Sequence, residues 1–200
     1  PWSNKPDDRQ KLEAKGRDLL RNAIMSRQIK GHVSDIATPY QLMGAAWANT
    51  RPYAMNVWSC GSGKTLGAIM AALCRDGDVV VVCPAKARHV WWSQVQEYSN
   101  VVPFRVKPQA EVRKKDQTFE DYAHMCREKG QRKFVIVGAE SIADNVKLIQ
   151  QIQPSILIFD EIHTHGNSKR WRAVHNVDGT VRFEKRKTSA SRNPNSQVNR

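Results

Sequence analysis

The run Gly61-Ser62-Gly63-Lys64-Thr65 combines residue types suited to one task, the holding of a phosphate. Glycines let successive backbone N–H groups turn toward an anion, and the start of a helix adds a favourable field. A lysine directly after them is placed to pair with β- and γ-phosphates, and the hydroxyl beside it to ligate Mg²⁺. Lys64 and Thr65 take those roles, with Cys60, Gly61, Ser62 and Gly63 making the nucleotide-binding turn. The general P-loop string has a glycine five residues before Gly63, and Trp58 stands there.

A second chemical signal lies about 95 residues further on, where the apolar run Ile156-Leu157-Ile158-Phe159 ends in Asp160-Glu161-Ile162-His163. Carboxylates at the C-terminal end of a buried parallel strand face the usual ligand edge of an α/β sheet. Asp160 there can hold Mg²⁺ through water, and Glu161 can orient or deprotonate the water that attacks a γ-phosphate. Standing alone, the pair would read as an exposed acidic turn. Following a P-loop in this order, it completes the chemistry of ATP hydrolysis.

Other residues carry weaker signals. Lys86 and Arg88 follow Pro84 and could meet a phosphate backbone, or be solvated; Gly138 would permit a nucleic-acid backbone to come close, or serve tight packing. His165 and His175 have no spacing that fits a closed zinc site, so the only metal expected is Mg²⁺ with ATP. Trp91 and Trp92 are adjacent and cannot both face a core from one helix.

The elements that must position these groups alternate as in parallel α/β domains. Strands are expected near Ala54–Trp58, Val79–Cys83, Val102–Val106, Phe134–Val137 and Ile156–Phe159. Helices are expected over Asp7–Lys30, Pro39–Asn49, Lys64–Arg75, Arg88–Tyr98, Phe119–Lys129, Ile142–Gln151 and Lys169–His175. Thr38 reads as the N-cap of the second helix, with Pro39 at its first position. Asp178-Gly179 between Val177 and Val181 hints at a hairpin, yet the composition beyond Val177 suggests an irregular basic tail without a core strand.

The chain has 200 residues, 40% of them hydrophobic, enough for one main core. No run approaches the roughly 20 apolar residues of a membrane span. Four cysteines without paired spacing, Cys60, Cys74, Cys83 and Cys126, suggest a reducing compartment, cytoplasmic or nucleoid/nuclear, and not a secreted protein. The net charge of +13 points to a polyanionic partner. From Asn167 to Arg200, nine Lys and Arg stand against Asp178 and Glu184, so much of the excess lies in a stretch that could simply be solvated.

Together these strings resemble the motifs of superfamily 2 helicases. Gly61 to Thr65 resembles motif I, and Asp160 to His163 resembles a DEAH-type motif II, in which His163 would couple the nucleotide site to the rest of the motor. Val80-Val81-Val82-Cys83-Pro84-Ala85, followed by Trp91, is similar to motif Ia of Swi/Snf-like ATPases; Phe134 to Ser141 is similar to motif Ib. Thr38-Pro39-Tyr40-Gln41 looks like the adenine-reading Q motif, with Gln41 as the reader.

The resemblance implies a RecA-like P-loop NTPase lobe with a parallel central sheet flanked by helices. It spans residues 38–176, with an N-terminal accessory helical segment over 1–37 and a basic tail over 177–200. It implies an ATP-dependent motor lobe acting on nucleic acid, double-stranded DNA by the Swi/Snf-like features, with a second RecA-like lobe expected outside this sequence. Ile162 in place of the usual alanine also suits a Ski-type or DEAH-like RNA helicase, and a nucleotide- and nucleic-acid-binding module without turnover is the alternative from another class. Motif III is not found: Thr188-Ser189-Ala190-Ser191 is the nearest string, and charged Glu184 to Lys187 precede it. The change of character after Val177 raises the expectation of an interrupted reading frame.

Overall fold

The computed structural model describes residues 6–54, 61–107, 112–113, 116–161, 171–175 and 181–185. Two compact units divide the chain, Pro1–Phe159 and Asp160–Arg200.

The first unit is built on four parallel strands in the order β2-β3-β1-β4, where β1 is Val79–Cys83, β2 Pro103–Arg105, β3 Phe134–Gly138 and β4 Ile156–Phe159. The two central strands, VVVVC and FVIVG, are buried at every position. Near-continuous β-branched runs are what a strand covered on both faces requires. Their register pairs Val79 with Phe134 and Cys83 with Gly138, and β4 pairs Val79 with Ile156 on the other side of β1. All four strands therefore end along one edge.

Helices α1 (Pro6–Met25), α2 (Val33–Ile36), α3 (Pro39–Asn49), α4 (Lys64–Leu73), α5 (Arg88–Tyr98), α6 (Phe119–Glu128) and α7 (Val146–Ile152) complete the unit. A single core joins Leu20 and Ala23 of α1, Leu42 and Ala45 of α3, Leu66, Ile69, Met70 and Leu73 of α4, and Trp91 and Val95 of α5 to the sheet. Burying each such aliphatic side chain contributes on the order of 1.5–3 kcal/mol. Helices α1 and α3 meet backbone to backbone, because Gly16 sits against Leu42 O, where a Cβ would be only 2.2 Å away.

The expected first helix ends earlier than Lys30. Arg27 turns left-handed at φ 55°, and Gln28 N donates to Ala23 O at 2.8 Å. The reversal carries Ile29, 1% exposed, into an isolated antiparallel bridge with Ser99. The strand expected at Ala54–Trp58 lies almost wholly outside the described residues. Helix α7 begins four residues later than expected, behind a 3-10 turn at Ala139–Ser141 and the turns that follow it.

In the second unit the expected helix over Lys169–His175 is not formed. Trp171–His175 is instead strand β5, antiparallel to β6, Val181–Lys185. The register sets Arg172 opposite Glu184, Ala173 opposite Phe183 and His175 opposite Val181. Period-two alternation of Val181 and Phe183 with Arg182 and Glu184 favours pairing over helix. The pairing of β5 with β6 agrees with the hinted hairpin, whose Asp178-Gly179 turn lies outside the described residues, and Val181–Lys185 of the tail is strand.

Candidate functional site

Helix α4 starts at Lys64, and its N-cap is Gly63 at φ 74° and ψ 33°, a left-handed conformation that a side chain makes costly. Gly61 is also left-handed, at φ 77°, and a Cβ there would meet nothing within 4 Å. The loop is thus open on its outer side at Gly61. Gly67 is the residue whose N–H closes the first turn, donating to Gly63 O at 3.1 Å. Earlier N–H groups of any α-helix lack such an internal partner and point out of its N-terminus.

The loop is held from below by α3. Thr38 N donates to Gln41 Oε1 at 2.9 Å, the half of a capping box in which the N3 side chain reaches back to the N-cap of α3. The other end of the same amide, Gln41 Nε2, donates to Gly63 O at 3.1 Å. Gln41 is 4% exposed, so this buried amide links the cap of α3 to the N-cap of α4. Beside it the Tyr40 hydroxyl donates to Ser62 O at 2.5 Å. Further along, Asn49 Nδ2 donates to both Ala45 O and Ala71 O, at 2.9 and 3.0 Å, and ties the C-terminal halves of the two helices together.

Asp160 and Glu161 form a turn directly after β4, each half-buried. Glu161 is left-handed at φ 54°, a conformation that costs a non-glycine residue roughly 1–2 kcal/mol. Cys60 and His163 lie outside the described residues, as do Trp58 and His165.

The ends of β1 and β3 bring the weaker candidates together. Cys83 pairs with Gly138, and both carboxylate oxygens of Glu140 accept from Ala85 N, at 3.1 and 3.0 Å. Arg88 donates through Nη1 to Val106 O at 2.9 Å and through Nε to Ala85 O at 3.3 Å. A Cβ on Gly138 would lie 3.5 Å from Arg88 Cδ, an ordinary contact. Arg88 thus anchors the segment after β2, whereas Lys86 in the 3-10 turn Ala85–Ala87 is exposed. Trp91 is buried; Trp92 stacks on His89 with ring centroids 6.4 Å apart.

Two of these contacts were not legible as site features. Tyr40 stood in the Q-motif-like string and Glu140 in the motif Ib-like string, but neither was given a role of its own. Gln41 was singled out in the sequence only through its resemblance to the Q motif; its bonds to Thr38 N and Gly63 O were not expected.

No helix among the described residues is long and apolar enough to cross a membrane. No curated protein matches the chain significantly. The model of the DEAD/DEAH box helicase family matches residues 39–195 of the 200, from the first residue of α3 through the P-loop, the parallel sheet and the Asp160-Glu161 turn. With an α/β fold, an all-parallel sheet and a glycine loop capping the helix that starts at Lys64, this chain belongs to the DEAD/DEAH box helicase family, as a superfamily 2 helicase-type ATP-binding lobe.

Proposed function

We propose that this chain is the first motor lobe of a Swi/Snf-like translocase that hydrolyses ATP to move along double-stranded DNA. The observation that carries the nucleotide half of this reading is the glycine loop capped onto α4 and held by Gln41 and Tyr40. It leaves the start of α4 facing outward as an anion site.

The residues suit MgATP by their chemistry. Lys64 would pair with the β- and γ-phosphates, Gly61, Ser62 and Gly63, with Cys60 before them, would supply the turn, and the Thr65 hydroxyl and Asp160 carboxylate are the hard oxygen donors that Mg²⁺ takes. Bound Mg²⁺ would neutralise charge developing on the phosphate oxygens. Glu161 would orient and deprotonate the attacking water, and His163 would couple that event to the rest of the motor. Gln41, whose amide already spans Thr38 N and Gly63 O, would read adenine from the same position. At the ends of β1 and β3, exposed Lys86 would meet the nucleic-acid backbone, with Arg88 and buried Gly138 shaping the edge beneath it. Turnover would depend on a second RecA-like lobe, which supplies charge stabilisation in trans.

Substituting Glu161 by Gln in the protein that carries both lobes should preserve nucleotide binding and abolish hydrolysis. Undiminished hydrolysis would remove Glu161 from the mechanism. Stimulation of the ATPase by duplex DNA over single-stranded RNA is expected; the opposite preference would favour a Ski-type or DEAH-like RNA helicase, which Ile162 also suits.

A further inference from the structure

The carbonyl of Ser62 and the N–H of Gly63 belong to one peptide unit, and a trans peptide points them in opposite directions. The Tyr40 hydroxyl donates to that carbonyl at 2.5 Å. Gln41, the next residue on the first turn of α3, holds the following carbonyl, Gly63 O, at 3.1 Å. Two successive side chains of one helix thereby fix two successive peptide planes of the loop.

The two anchors differ in their surroundings. Gln41 is 4% exposed and its bond is shielded, while Tyr40 is 37% exposed and its bond is made in competition with water. The peptide that Tyr40 holds is also the softer one, since it lies between two left-handed glycines, Gly61 at φ 77° and Gly63 at φ 74°. Glycine populates several backbone basins at little cost, so rotation of this plane meets little steric resistance. Water would solvate Ser62 O in any of its orientations. A hydroxyl on a ring anchored in a helix offers its proton from one direction only.

We infer that Tyr40 is a positioning residue: its hydroxyl sets the plane of the Ser62–Gly63 peptide and so turns Gly63 N–H away from α3, toward the place where a polyphosphate binds. The inference rests on the nucleotide reading above. It assigns Tyr40 no contact with the nucleotide; its effect passes through the peptide.

The test is Tyr40→Phe in the full chain, which keeps the ring and removes only the donor. The ¹⁵N–¹H resonance of Gly63 is followed without nucleotide, and affinities are measured for MgADP and for inorganic pyrophosphate with Mg²⁺. The Gly63 resonance should move, and both affinities should weaken together by about three- to tenfold, the loss expected of one modest hydrogen bond. The melting temperature should stay at the wild-type value. Wild-type affinity in the variant would overturn the inference, as would a loss confined to MgADP, which would put Tyr40 on the base. A lower melting temperature with an unmoved Gly63 resonance would also overturn it, by giving Tyr40 a general packing role. Failure of the wild-type chain to bind MgADP would instead sink the nucleotide reading, and the Gly63 resonance would still decide whether Tyr40 sets the peptide plane.

Discussion

A Cβ on Gly63 would lie 2.3 Å from Gln41 Nε2, so a side-chain nitrogen occupies the space that any other residue's first carbon would need. The position is doubly restricted, because its φ of 74° already disfavours every L side chain. Gly63→Ala should therefore destabilise the chain by about 1–3 kcal/mol, from left-handed strain together with displacement of the Gln41 amide. Urea unfolding of the variant measures this. A midpoint equal to wild type would mean that the Gln41–Gly63 contact does not constrain the loop.

The Tyr122 hydroxyl sits at the opposite end of the sheet and is held by backbone groups, with the Cys126 thiol beside it. It donates to Val102 O at 2.8 Å and accepts from Phe134 N at 2.8 Å, joining the segment before β2 to the first residue of β3. Burial pushes its ionisation far above the ordinary tyrosine range. Tyr122→Phe leaves the Phe134 N–H without that acceptor in a site where Tyr122 and Phe134 are both 0% exposed. The expected cost is about 1–3 kcal/mol, read from the urea midpoint, with nucleotide affinity unchanged. A neutral substitution would show that water satisfies Phe134 N–H in the variant.

Alkaline stability should report on Cys74. Burial pushes its thiol from the ordinary 9.0 up to about 12, against the opposing pull of the Arg132 guanidinium. The sign follows from proton counts. Below pH 9 both folded and unfolded chains keep this proton, and the contribution is intact. Between pH 9 and about 12 the unfolded chain has lost it while the folded chain retains it, so stability falls as pH rises, by at most about 1.4 kcal/mol per pH unit from this group. Cys74→Ala should flatten that decline. The measurement is urea unfolding under reducing conditions at pH 8, 9 and 10, and parallel slopes for variant and wild type would contradict it.

Much of this was legible in the sequence because the signals were local and repeated. Strands β1 and β3 announce themselves as near-continuous β-branched runs, and the start of α3 follows from Thr38 and Pro39. The glycine-capped start of α4 was readable from Gly61, Gly63 and Lys64, and the turn at Asp160-Glu161 from the end of the apolar run at Phe159. The failures came where a local pattern met a nonlocal partner. Trp171–His175 scans as a helical turn until Val181–Lys185 is available to pair with it. The early end of α1 depends on Ile29 bridging to Ser99, seventy residues away in sequence. The roles of Tyr40 and Glu140 were hidden for the same reason: each acts on a backbone atom more than twenty residues distant, Ser62 O and Ala85 N, and backbone atoms carry no sequence signature.

The seat of Gly16 on Leu42 O has a mechanical meaning. Between α1 and α3 there is no side chain at that point to compress or rotate, so the two backbones bear directly on each other. Helix α3 then grips the glycine loop through Tyr40 and Gln41. The N-terminal helix, α3 and the loop are thus linked in series, as a lever is to its latch, from Gly16 through Leu42 to the carbonyls of Ser62 and Gly63.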